Sequence, residues 1–332
     1  MRKIRIAQIG IGHDHAAEIF KRLKGRSEEI EVVGYALPEG EDEIYATRLS
    51  VFSGYRMMSV EEILADGSID AVAVETDECR LTKYALLAAN AGKHVHMDKP
   101  GGMSVADFEA LVEAVKARGL TLNLGYMYRY NPLLMRVFRE ISEGLIGDVV
   151  TVEAEMNGAY PDPSRTTWLT RFGRGGMMFF LGCHMVDLVV RLLGEPQRIT
   201  THSFASGSSG SDAVDCGMAV FEYPKARATV RSSSIEWGGF RRRHLVIAGT
   251  KGTIDVRPLE FNLADGVATE ATYYIGTKWG RDGVTVRSDA FDRYDDMITA
   301  FLASVRGEHT NPYTPDFELM LYKIFMKACD MY

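Results

Sequence analysis

Residues 93–102, KHVHMDKPGG, decide how the first half of this chain is interpreted. A short run containing apolar residues stops at Pro100 and two glycines, as a strand does where its carboxyl end opens onto a loop. In an open parallel sheet, ligands bind at the carboxyl ends of the strands. Asp98 and Lys99 therefore lie where the chemistry of such a domain takes place, although an arbitrary Lys-Pro pair is more often solvated surface.

Strand and helix patterns alternate on both sides of this stretch. The sequence SVEEILAD has the capping-box spacing of Ser59 and Glu62, and Ser104 is the predicted N-cap of a helix over 104–118. We predict six strands separated by helices. This pattern is typical of an α/β domain with a doubly wound parallel sheet, which we place over residues 1–125.

A glycine turn follows the first predicted strand. RKIRIAQIG runs directly into GIGHDHAAEIFKRLKG, whose apolar residues have helical spacing. Gly10 and Gly12 permit a tight turn and let backbone amides approach a pyrophosphate, as in dinucleotide-binding Rossmann domains. His15 replaces the third glycine of that fingerprint, so the match is incomplete. We predict that Gly10, Gly12 and His13 contact the cofactor.

The end of the second strand, EVVGYAL, bears on the choice of cofactor. Leu37 ends this strand and the acidic segment 39–43 follows it. An acidic residue here binds the ribose hydroxyls of NAD, whereas an arginine accepts the phosphate of NADP. Because acidic groups repel a 2′-phosphate, we predict NAD in preference to NADP, with Leu37 and Glu39 near the ribose. The alternative is a solvated acidic loop that leads into a helix over 41–49 and needs no cofactor.

Other residues at the same sheet edge complete the predicted cofactor site. Thr76 follows the strand SIDAVAV, and we expect it to contact nicotinamide or ribose together with Asp98 and Lys99. His94 and His96 alternate on a strand and so share a face. Since no third ligand is evident nearby, we predict buried, hydrogen-bonded histidines and no metal.

Composition limits the function classes. The chain has 332 residues, of which 46% are hydrophobic, and a formal net charge of -7. This length suffices for two domains, and an acidic surface does not attract nucleic acid or anionic membranes. The 4 cysteines lie far apart, and the apolar amino-terminal run is too short for a signal peptide. We predict a cytoplasmic protein with no nucleic-acid or membrane partner.

Residues 126–332 predict a second α/β domain. Long β-rich runs interleave polar and apolar residues, and turns such as the one at Gly252 suit antiparallel connections. A helical region over 164–194 interrupts these strands. The basic run 241–243 is interpreted as a solvated strand edge or an oligomer contact.

Five segments taken together resemble one enzyme family. They are GIGH, MDKP, GYMYRYNP, ISEGLIGDVVTVEAE and GGMMFFLGCHMVDLVVRLLGEP. Over nearly its whole length the chain resembles the Gfo/Idh/MocA family, named for glucose-fructose oxidoreductase and inositol dehydrogenase. The resemblance implies an amino-terminal Rossmann domain and a carboxyl-terminal domain with a large, mostly antiparallel open sheet. It also implies NAD(P)-dependent oxidation or reduction of a sugar, polyol or related carbonyl compound, by a homodimer or homotetramer formed through the carboxyl-terminal sheet.

The resemblance also implies the catalytic residues. Lys99 matches the family's lysine, and His184 matches a histidine that exchanges a proton with the substrate hydroxyl. The family often has an aspartate four residues before this histidine, where this chain has Phe180. Asp187 lies three residues after His184 and could share its helical face, but the resemblance favours a structural role for it.

Predicted substrate contacts surround this helical region. They are Arg129, Tyr160, Trp168, Arg171 and Asp187. An aromatic ring beside arginines suits a sugar face with its hydroxyls, or a carboxylate. Trp168 as a core anchor and Arg129 as a link between the domains are the alternatives.

Two other function classes are compatible with the departures at His15, Leu37 and Phe180. In one, tightly held NAD serves an internal cycle of oxidation and reduction. In the other, the protein keeps the fold but binds a ligand or regulates without catalysis.

Overall fold

The structure, a computed structural model, describes residues 2–160, 162–276 and 282–332. The chain divides into two compact units. The first unit extends to Tyr126 and also contains Tyr294–Tyr322, and the second contains Met127–Arg293 and Lys323–Tyr332.

A parallel five-stranded sheet forms the centre of the first unit, in the strand order β2-β1-β3-β4-β5. Its strands are β1 (Ile4–Ile9), β2 (Ile30–Ala36), β3 (Ala71–Val74), β4 (His94–Met97) and β5 (Leu122–Leu124). Its helices are α1 (Ala16–Gly25), α2 (Glu41–Ile44), α3 (Val60–Ala65), α4 (Leu81–Asn90), α5 (Val105–Arg118), α9 (Asp295–Val305) and the first part of α10 (Pro315–Ala328). The doubly wound α/β fold predicted from the sequence is confirmed.

The number of predicted strands was wrong, because the described part of this sheet contains five. Between β2 and β3, Met57 forms a single parallel bridge with Tyr35, which is too short to count as a strand. A 3₁₀ helix, Ala46–Phe52, also occupies part of the predicted helix over 41–49.

Local signals fixed the helix starts that the sequence predicted. The Ser59 hydroxyl accepts the Glu62 N–H, and the Glu62 carboxylate accepts the Ser59 N–H, which completes the capping box of α3. The Ser104 hydroxyl accepts the Asp107 N–H at the start of α5. All four residues of β3 are buried, as expected for a central strand covered on both faces.

Residues 294–322 were predicted to lie in the second domain, but they pack in the first unit. The Arg26 guanidinium donates to the Asp295 carbonyl at 2.9 Å and to the Thr299 hydroxyl at 2.7 Å. The rings of Phe108 and Tyr322 stack with centroids 4.2 Å apart. The sequence reveals the amphipathic helices at this end of the chain, but not the surface against which their apolar faces pack.

The second unit is built on an eight-stranded sheet in the order β15-β14-β11-β10-β6-β9-β8-β7. Its strands are β6 (Val149–Glu155), β7 (Arg198–Thr201), β8 (Cys216–Glu222), β9 (Arg227–Ser233), β10 (His244–Gly249), β11 (Gly252–Val256), β14 (Glu270–Ile275) and β15 (Val284–Arg287). Only β6 and β9 pair in parallel among these described strands, so the sheet is mostly antiparallel, as the resemblance implied. A separate hairpin joins β12 (Phe261–Leu263) to β13 (Gly266–Ala268).

Helices precede and interrupt this sheet. They are α6 (Pro132–Ser142), α7 (Pro163–Thr167), a 3₁₀ segment (Trp168–Gly175), a π-helical turn (Met178–Gly182) and α8 (Cys183–Leu193). The π-helical turn leads directly into α8, which is where the sequence places the candidate catalytic histidine. Such turns are often found at functional sites.

Within the described ranges, no single helix has both the length and the apolar character to cross a membrane. One pair, Pro163–Gly175 with Met178–Leu193, meets the length and composition criteria only jointly, across a 78° bend.

Candidate functional site

The glycine turn after β1 requires glycine for steric reasons. Gly10 has a φ of 93°, and a Cβ on it would lie 2.4 Å from the Thr76 Cα. A Cβ on Gly12 would lie 2.5 Å from the backbone nitrogen of Asp77. The turn therefore packs directly on the backbone that follows β3, as a phosphate-binding turn does when its amides must approach a ligand closely.

A carboxylate of the protein itself binds the amides of this turn. The Oε2 of Glu41 accepts the N–H of Ile11 at 2.6 Å and that of Gly12 at 3.1 Å. Its Oε1 accepts the Asp77 N–H at 3.1 Å and the Thr76 hydroxyl. Glu41 is fully buried, and burial raises its pKa although these hydrogen bonds oppose the rise. The turn is therefore an oxyanion receptor, which in this structure binds an internal carboxylate.

Basic side chains contact both the backbone of the glycine turn and the acidic segment that follows β2. Arg48 donates to the carbonyls of Ile11, Gly12 and His13 at 2.6 to 2.9 Å. Glu39 forms ion pairs with Arg80, at 3.0 Å, and with Lys83, and accepts the Tyr84 hydroxyl. Within segment 39–43, Glu41 is buried, whereas Glu39, Asp42 and Glu43 are exposed, so the solvated acidic loop considered from the sequence is wrong only at Glu41.

Leu37 packs in the core. It contacts the apolar cluster of Ile11, Ala16, Phe20 and Phe52. Since its side chain is apolar and engaged there, it offers no polar contact for a ribose.

Next to the glycine turn lies a group of buried ionisable side chains, which we call the His13 cluster: His13, His15, Glu75, Glu78 and Asp98. The Asp98 Oδ2 lies 3.2 Å from the His13 Nδ1 and 3.0 Å from the His15 Nδ1. The Glu75 Oε2 is 3.9 Å from the His13 Nδ1, and the Glu78 Oε1 is 4.0 Å from the His13 Nε2. Only the His15 side chain has appreciable exposure, 15%.

The environment separates the pKa values within the His13 cluster. Burial lowers the pKa of His13 to about 4 and raises that of Glu78 to about 7. Burial, reinforced by the charge of Asp98, raises the pKa of Glu75 well above its usual range. Burial alone would also raise the pKa of Asp98, but His13 and His15 hold it well below its usual value. The cluster therefore favours the charged form of Asp98 over the charged forms of Glu75 and Glu78.

Lys99 is 1% exposed, so the solvated-surface alternative for this residue is wrong. Its backbone N–H donates to the Asp98 Oδ1 at 2.7 Å, and its charge acts on both Glu75 and Glu78. The structure thus brings together the predicted residues of this unit, namely Gly10, Gly12, His13, Thr76, Asp98 and Lys99.

The predicted pair of strand histidines divides between two environments. The His94 Nδ1 accepts the Thr121 N–H at 2.9 Å, and the His96 Nδ1 lies 2.8 Å from the Asn123 amide oxygen. The His96 Nε2 is 3.6 Å from Glu75. Both histidines make the hydrogen bonds that the sequence analysis expected.

In the second unit, His184 lies near the start of α8 and is 1% exposed. The Tyr128 ring meets its imidazole edge-to-face, with centroids 5.3 Å apart. Phe180, four residues earlier, packs on Trp168 and Phe172 with centroids 5.1 and 6.2 Å away. Phe180, at the position where the family often has an aspartate, therefore belongs to an aromatic cluster.

Asp187 is held by Arg129. The Nε and Nη2 of Arg129 lie 2.9 and 2.8 Å from the Asp187 Oδ1, and both residues are buried. A buried ion pair of this geometry fixes both side chains, because separating them would leave an uncompensated charge. The pair favours the structural role that the resemblance implied for Asp187.

A second buried network surrounds Glu260. Arg243 and Arg293 contact its two carboxylate oxygens at 2.9 and 2.8 Å, and the Tyr128 hydroxyl donates to it at 2.7 Å. The interpretation of 241–243 as a solvated strand edge or an oligomer contact was therefore wrong at Arg243, which is buried and pairs with Glu260. Burial, with the charge of Glu260, raises the pKa of Tyr128.

The predicted substrate residues of the helical region form a cation–π cluster. The Arg165 guanidinium lies 4.3 Å from the Trp168 ring and 5.7 Å from that of Tyr160, and Arg171 lies 5.3 Å from the Trp168 ring. Tyr160 also lines an open depression with about 510 Å³ of empty volume. Its other lining residues are Ala159, Pro163, Thr166, Ser208, Ser209, Ile235 and Trp237.

Sequence reasoning missed Glu41, Glu75, Glu78 and Glu260. Glu75 and Glu78 follow the apolar run of β3 directly, and a carboxylate at the end of a buried strand could have been noted as a site candidate. Glu41 and Glu260 carry no local signal, because only the tertiary fold buries them.

Two family models match most of the chain. The model described as "Oxidoreductase family, NAD-binding Rossmann fold" matches residues 4–126, and "GFO/IDH/MocA C-terminal domain" matches residues 135–255. Together with the glycine turn and the two-unit architecture, they define an oxidoreductase of the dehydrogenase and reductase class with an NAD(P)-binding Rossmann domain. The chain belongs to the Gfo/Idh/MocA family, which confirms the resemblance seen in the sequence.

Individual relatives are more distant. The chain is 28% identical over 259 residues to D-xylose 1-dehydrogenase (NADP(+)) 2 of Haloferax volcanii, covering 76% of this chain and 74% of that protein. It is 26% identical over 207 residues to 2,7-anhydro-N-acetylneuraminate hydratase of Escherichia coli, covering 60% and 55%. The structure of aldose-aldose oxidoreductase from Caulobacter crescentus, complexed with glycerol, matches with a TM-score of 0.78 at 21% identity, covering 99% and 98%.

Proposed function

We propose that this protein transfers hydride between a nicotinamide dinucleotide and a sugar, polyol or related carbonyl compound. The observation that carries the proposal is the oxyanion receptor at Gly10–Gly12, whose amides bind a carboxylate. A pyrophosphate presents the same kind of acceptor oxygen to such amides. The named xylose dehydrogenase among the relatives supports the carbohydrate-like substrate class.

The residues present fit the dinucleotide on one condition. The amides of Ile11 and Gly12 can serve only one anion at a time, so Glu41 must leave the turn before a phosphate binds there. Glu41 lies on α2, which has only four residues and is a small element to displace. Cofactor binding is therefore coupled to movement of α2.

Lys99 and His184 are the proposed proton-handling residues. When bound, the dinucleotide accepts or gives the hydride. The Lys99 ammonium hydrogen-bonds the reacting oxygen and favours its anionic form, while the His184 imidazole takes the hydroxyl proton in oxidation and returns it in reduction. Burial of both side chains, each 1% exposed, excludes bulk water from their polar atoms. Arg129, Tyr160, Trp168, Arg171 and Asp187 are the proposed substrate-side residues, with Arg129 and Asp187 acting as a positioning pair.

The preference for NAD over NADP is also a proposal. Fewer unpaired acidic groups support it than the sequence suggested. Glu39 remains the acidic side chain closest to the end of β2, but Arg80 and Lys83 neutralise it. Two relatives, D-xylose 1-dehydrogenase (NADP(+)) 2 and scyllo-inositol 2-dehydrogenase (NADP(+)) IolW, are named for NADP(+), which is evidence against this preference. A 2′-phosphate would compete with Glu39 for these two basic residues, so direct comparison of the two cofactors is required.

A second candidate is an enzyme that holds NAD tightly and uses it in an internal redox cycle. Phe180 stands where the family often has the aspartate that acts with this histidine, so the usual dehydrogenase pair is changed at that position. A relative named as a hydratase supports a net reaction without cofactor consumption. The non-catalytic alternative gains its support from Glu41, which satisfies the cofactor turn internally.

The subunit arrangement and location complete the proposal. We propose a cytoplasmic homodimer or homotetramer formed through the large sheet. The exposed Met218 of β8, on the face opposite the buried Ala219 and Phe221, supports an interface there. Light scattering of the purified chain measures the subunit number directly.

The decisive experiment is fluorescence titration of NADH and NADPH, after checking the preparation for co-purified nucleotide, followed by a screen of sugars and polyols. We expect Lys99→Ala and His184→Ala each to lower kcat/KM by about 10²- to 10⁴-fold. The exposed Lys3→Ala and His309→Ala are matched controls and should retain full activity.

The outcomes separate the candidates. Exchangeable NADH binding with substrate oxidation supports the dehydrogenase, whereas tightly bound nucleotide with no net consumption supports the internal cycle. If neither nucleotide binds or co-purifies, the oxidoreductase proposal fails and a ligand-binding role remains. Where activity is found, a double-mutant cycle on Lys99 and His184 tests whether the two residues act in the same step. In that case the effects of the two substitutions on kcat/KM would not add.

A further inference from the structure

The His13 cluster contains a set of side chains with the chemistry of a metal site. One ligand atom each from His13, His15 and Asp98 lies within 4.8 Å of the others. Two imidazoles and one carboxylate are ligands that Zn²⁺ and related divalent transition metals prefer. The two histidines of this set are not the pair considered as metal ligands from the sequence, because His94 and His96 lie on β4.

The distances suit an ion placed between these atoms. Two atoms that each lie about 2.1 Å from a metal are about 3.0 Å apart at a right angle and about 3.4 Å apart at the tetrahedral angle. The Asp98 Oδ2 lies 3.0 Å from the His15 Nδ1 and 3.2 Å from the His13 Nδ1. Two of the three distances between ligand atoms therefore match those around one ion, and the third, between the two imidazole nitrogens, is within 4.8 Å.

Hydrogen bonding alone does not satisfy His13. Its Nδ1 accepts the His15 backbone N–H at 3.1 Å and also faces the Asp98 Oδ2 at 3.2 Å. One ring nitrogen cannot accept in the first contact and donate in the second at the same time. A metal ion uses the lone pairs of both the imidazole and the carboxylate, and only the His15 N–H then loses its contact.

Unpartnered buried groups lie at the other side of the His13 ring from the Nδ1 that would bind the ion. Within the described part of the chain, the His13 Nε2 and both carboxyl oxygens of Glu78 have no hydrogen-bond partner. Glu78 is fully buried, and its Oε1 lies 4.0 Å from that nitrogen. Burying such groups is unfavourable unless something compensates them, and a cation nearby does so for a carboxylate.

We propose that His13, His15 and Asp98 bind a divalent transition metal ion, with Zn²⁺ as the best match, and that Glu75 and Glu78 add negative charge around it. The 15% exposure of the His15 side chain gives the ion a route from solvent. This inference goes beyond the proposed hydride transfer and does not depend on it.

The test uses the full-length protein with any affinity tag removed. Metal content is measured by mass spectrometry after purification without chelators, and Co²⁺ is then titrated into chelator-treated protein while visible absorption is followed. We expect one ion per chain and the intense bands of a low-coordinate Co²⁺ ion. His15→Ala and Asp98→Asn should each weaken Co²⁺ binding at least about tenfold, while the exposed His309→Ala should leave it unchanged.

Two results would overturn the proposal. One is wild-type protein that neither retains metal nor binds Co²⁺ although circular dichroism shows it to be folded. The other is Co²⁺ binding that His15→Ala and Asp98→Asn leave unchanged, which would place the ion elsewhere. NADH titration of the metal-free and the metal-loaded protein is read separately, so failure of dinucleotide binding and failure of metal binding are distinguishable.

Discussion

The His13 cluster and the Glu260 network are both buried, but they differ in how their charges are matched. Around Glu260, two guanidiniums and a phenol contact one carboxylate at 2.7 to 2.9 Å. The His13 cluster holds three carboxyl groups, of which Glu78 has no hydrogen-bond partner within the described ranges. Burial raises the pKa of Glu75 and of Glu78, and the charge of Lys99 opposes the rise without cancelling it.

This difference separates a structural arrangement from a ligand site. A fully paired network fixes one conformation of the side chains around it. An incompletely paired group of titratable residues at the carboxyl edge of a parallel sheet is a candidate for binding or catalysis. Substitutions that neutralise one carboxylate in each region should therefore have different effects.

Glu260→Gln should cause the largest loss of stability. The change removes the negative charge that the buried Arg243 and the partly exposed Arg293 contact, and breaking a buried pair costs about 3–5 kcal/mol. Urea denaturation followed by circular dichroism measures the free energy of unfolding. Arg136→Ala, which breaks the surface pair with Glu140, is the control and should cost less than about 1 kcal/mol. Equal losses in the two variants would show that burial does not distinguish these pairs.

Glu41→Ala should have an intermediate effect, of opposite sign on binding and on stability. The variant frees the amides of Ile11 and Gly12 for a phosphate, so NADH should bind about 10- to 100-fold more tightly, as expected for a lost charge-assisted contact. The apo protein should lose about 1–3 kcal/mol because those amides lack an acceptor. Asp42→Ala removes a neighbouring exposed acid and controls for the general change in charge.

Unchanged NADH affinity in Glu41→Ala would mean that the cofactor does not use the turn amides. Weaker binding would mean that Glu41 supports the cofactor site and does not compete with it. Either result would remove the proposed coupling between cofactor binding and the movement of α2.

The sequence predicted those features that local pattern determines. Strand and helix order, the Ser59 and Ser104 caps, the glycine turn and the mostly antiparallel second sheet followed from periodicity, capping chemistry and resemblance. The partners of charged residues did not follow, since Glu41 reaches the turn from 29 residues away along the chain and Glu260 meets Tyr128 across 132 residues. A charge run such as 241–243 looks solvated until the fold buries one of its members.

Glu78→Gln should have the smallest effect, and its sign should depend on pH. The pKa of Glu78 rises from 4.5 to about 7 in the folded protein, so the folded state holds this proton more tightly than the unfolded chain. Stability is therefore lost as pH increases from 4.5 through about 7, where the buried carboxyl must ionise. The neutral glutamine avoids that loss but buries an amide with few partners, which leaves a net gain on the order of 1 kcal/mol above neutral pH. Near the pKa of the unfolded chain, where the wild-type carboxyl is still protonated, only the cost of the buried amide remains and the variant should be less stable than the wild type. Thermal unfolding of chelator-treated protein across this pH range measures the difference. A Glu78→Gln variant that is destabilised as strongly as Glu260→Gln would show that Glu78 has a structural partner. The charges in the two buried regions would then be paired equally well.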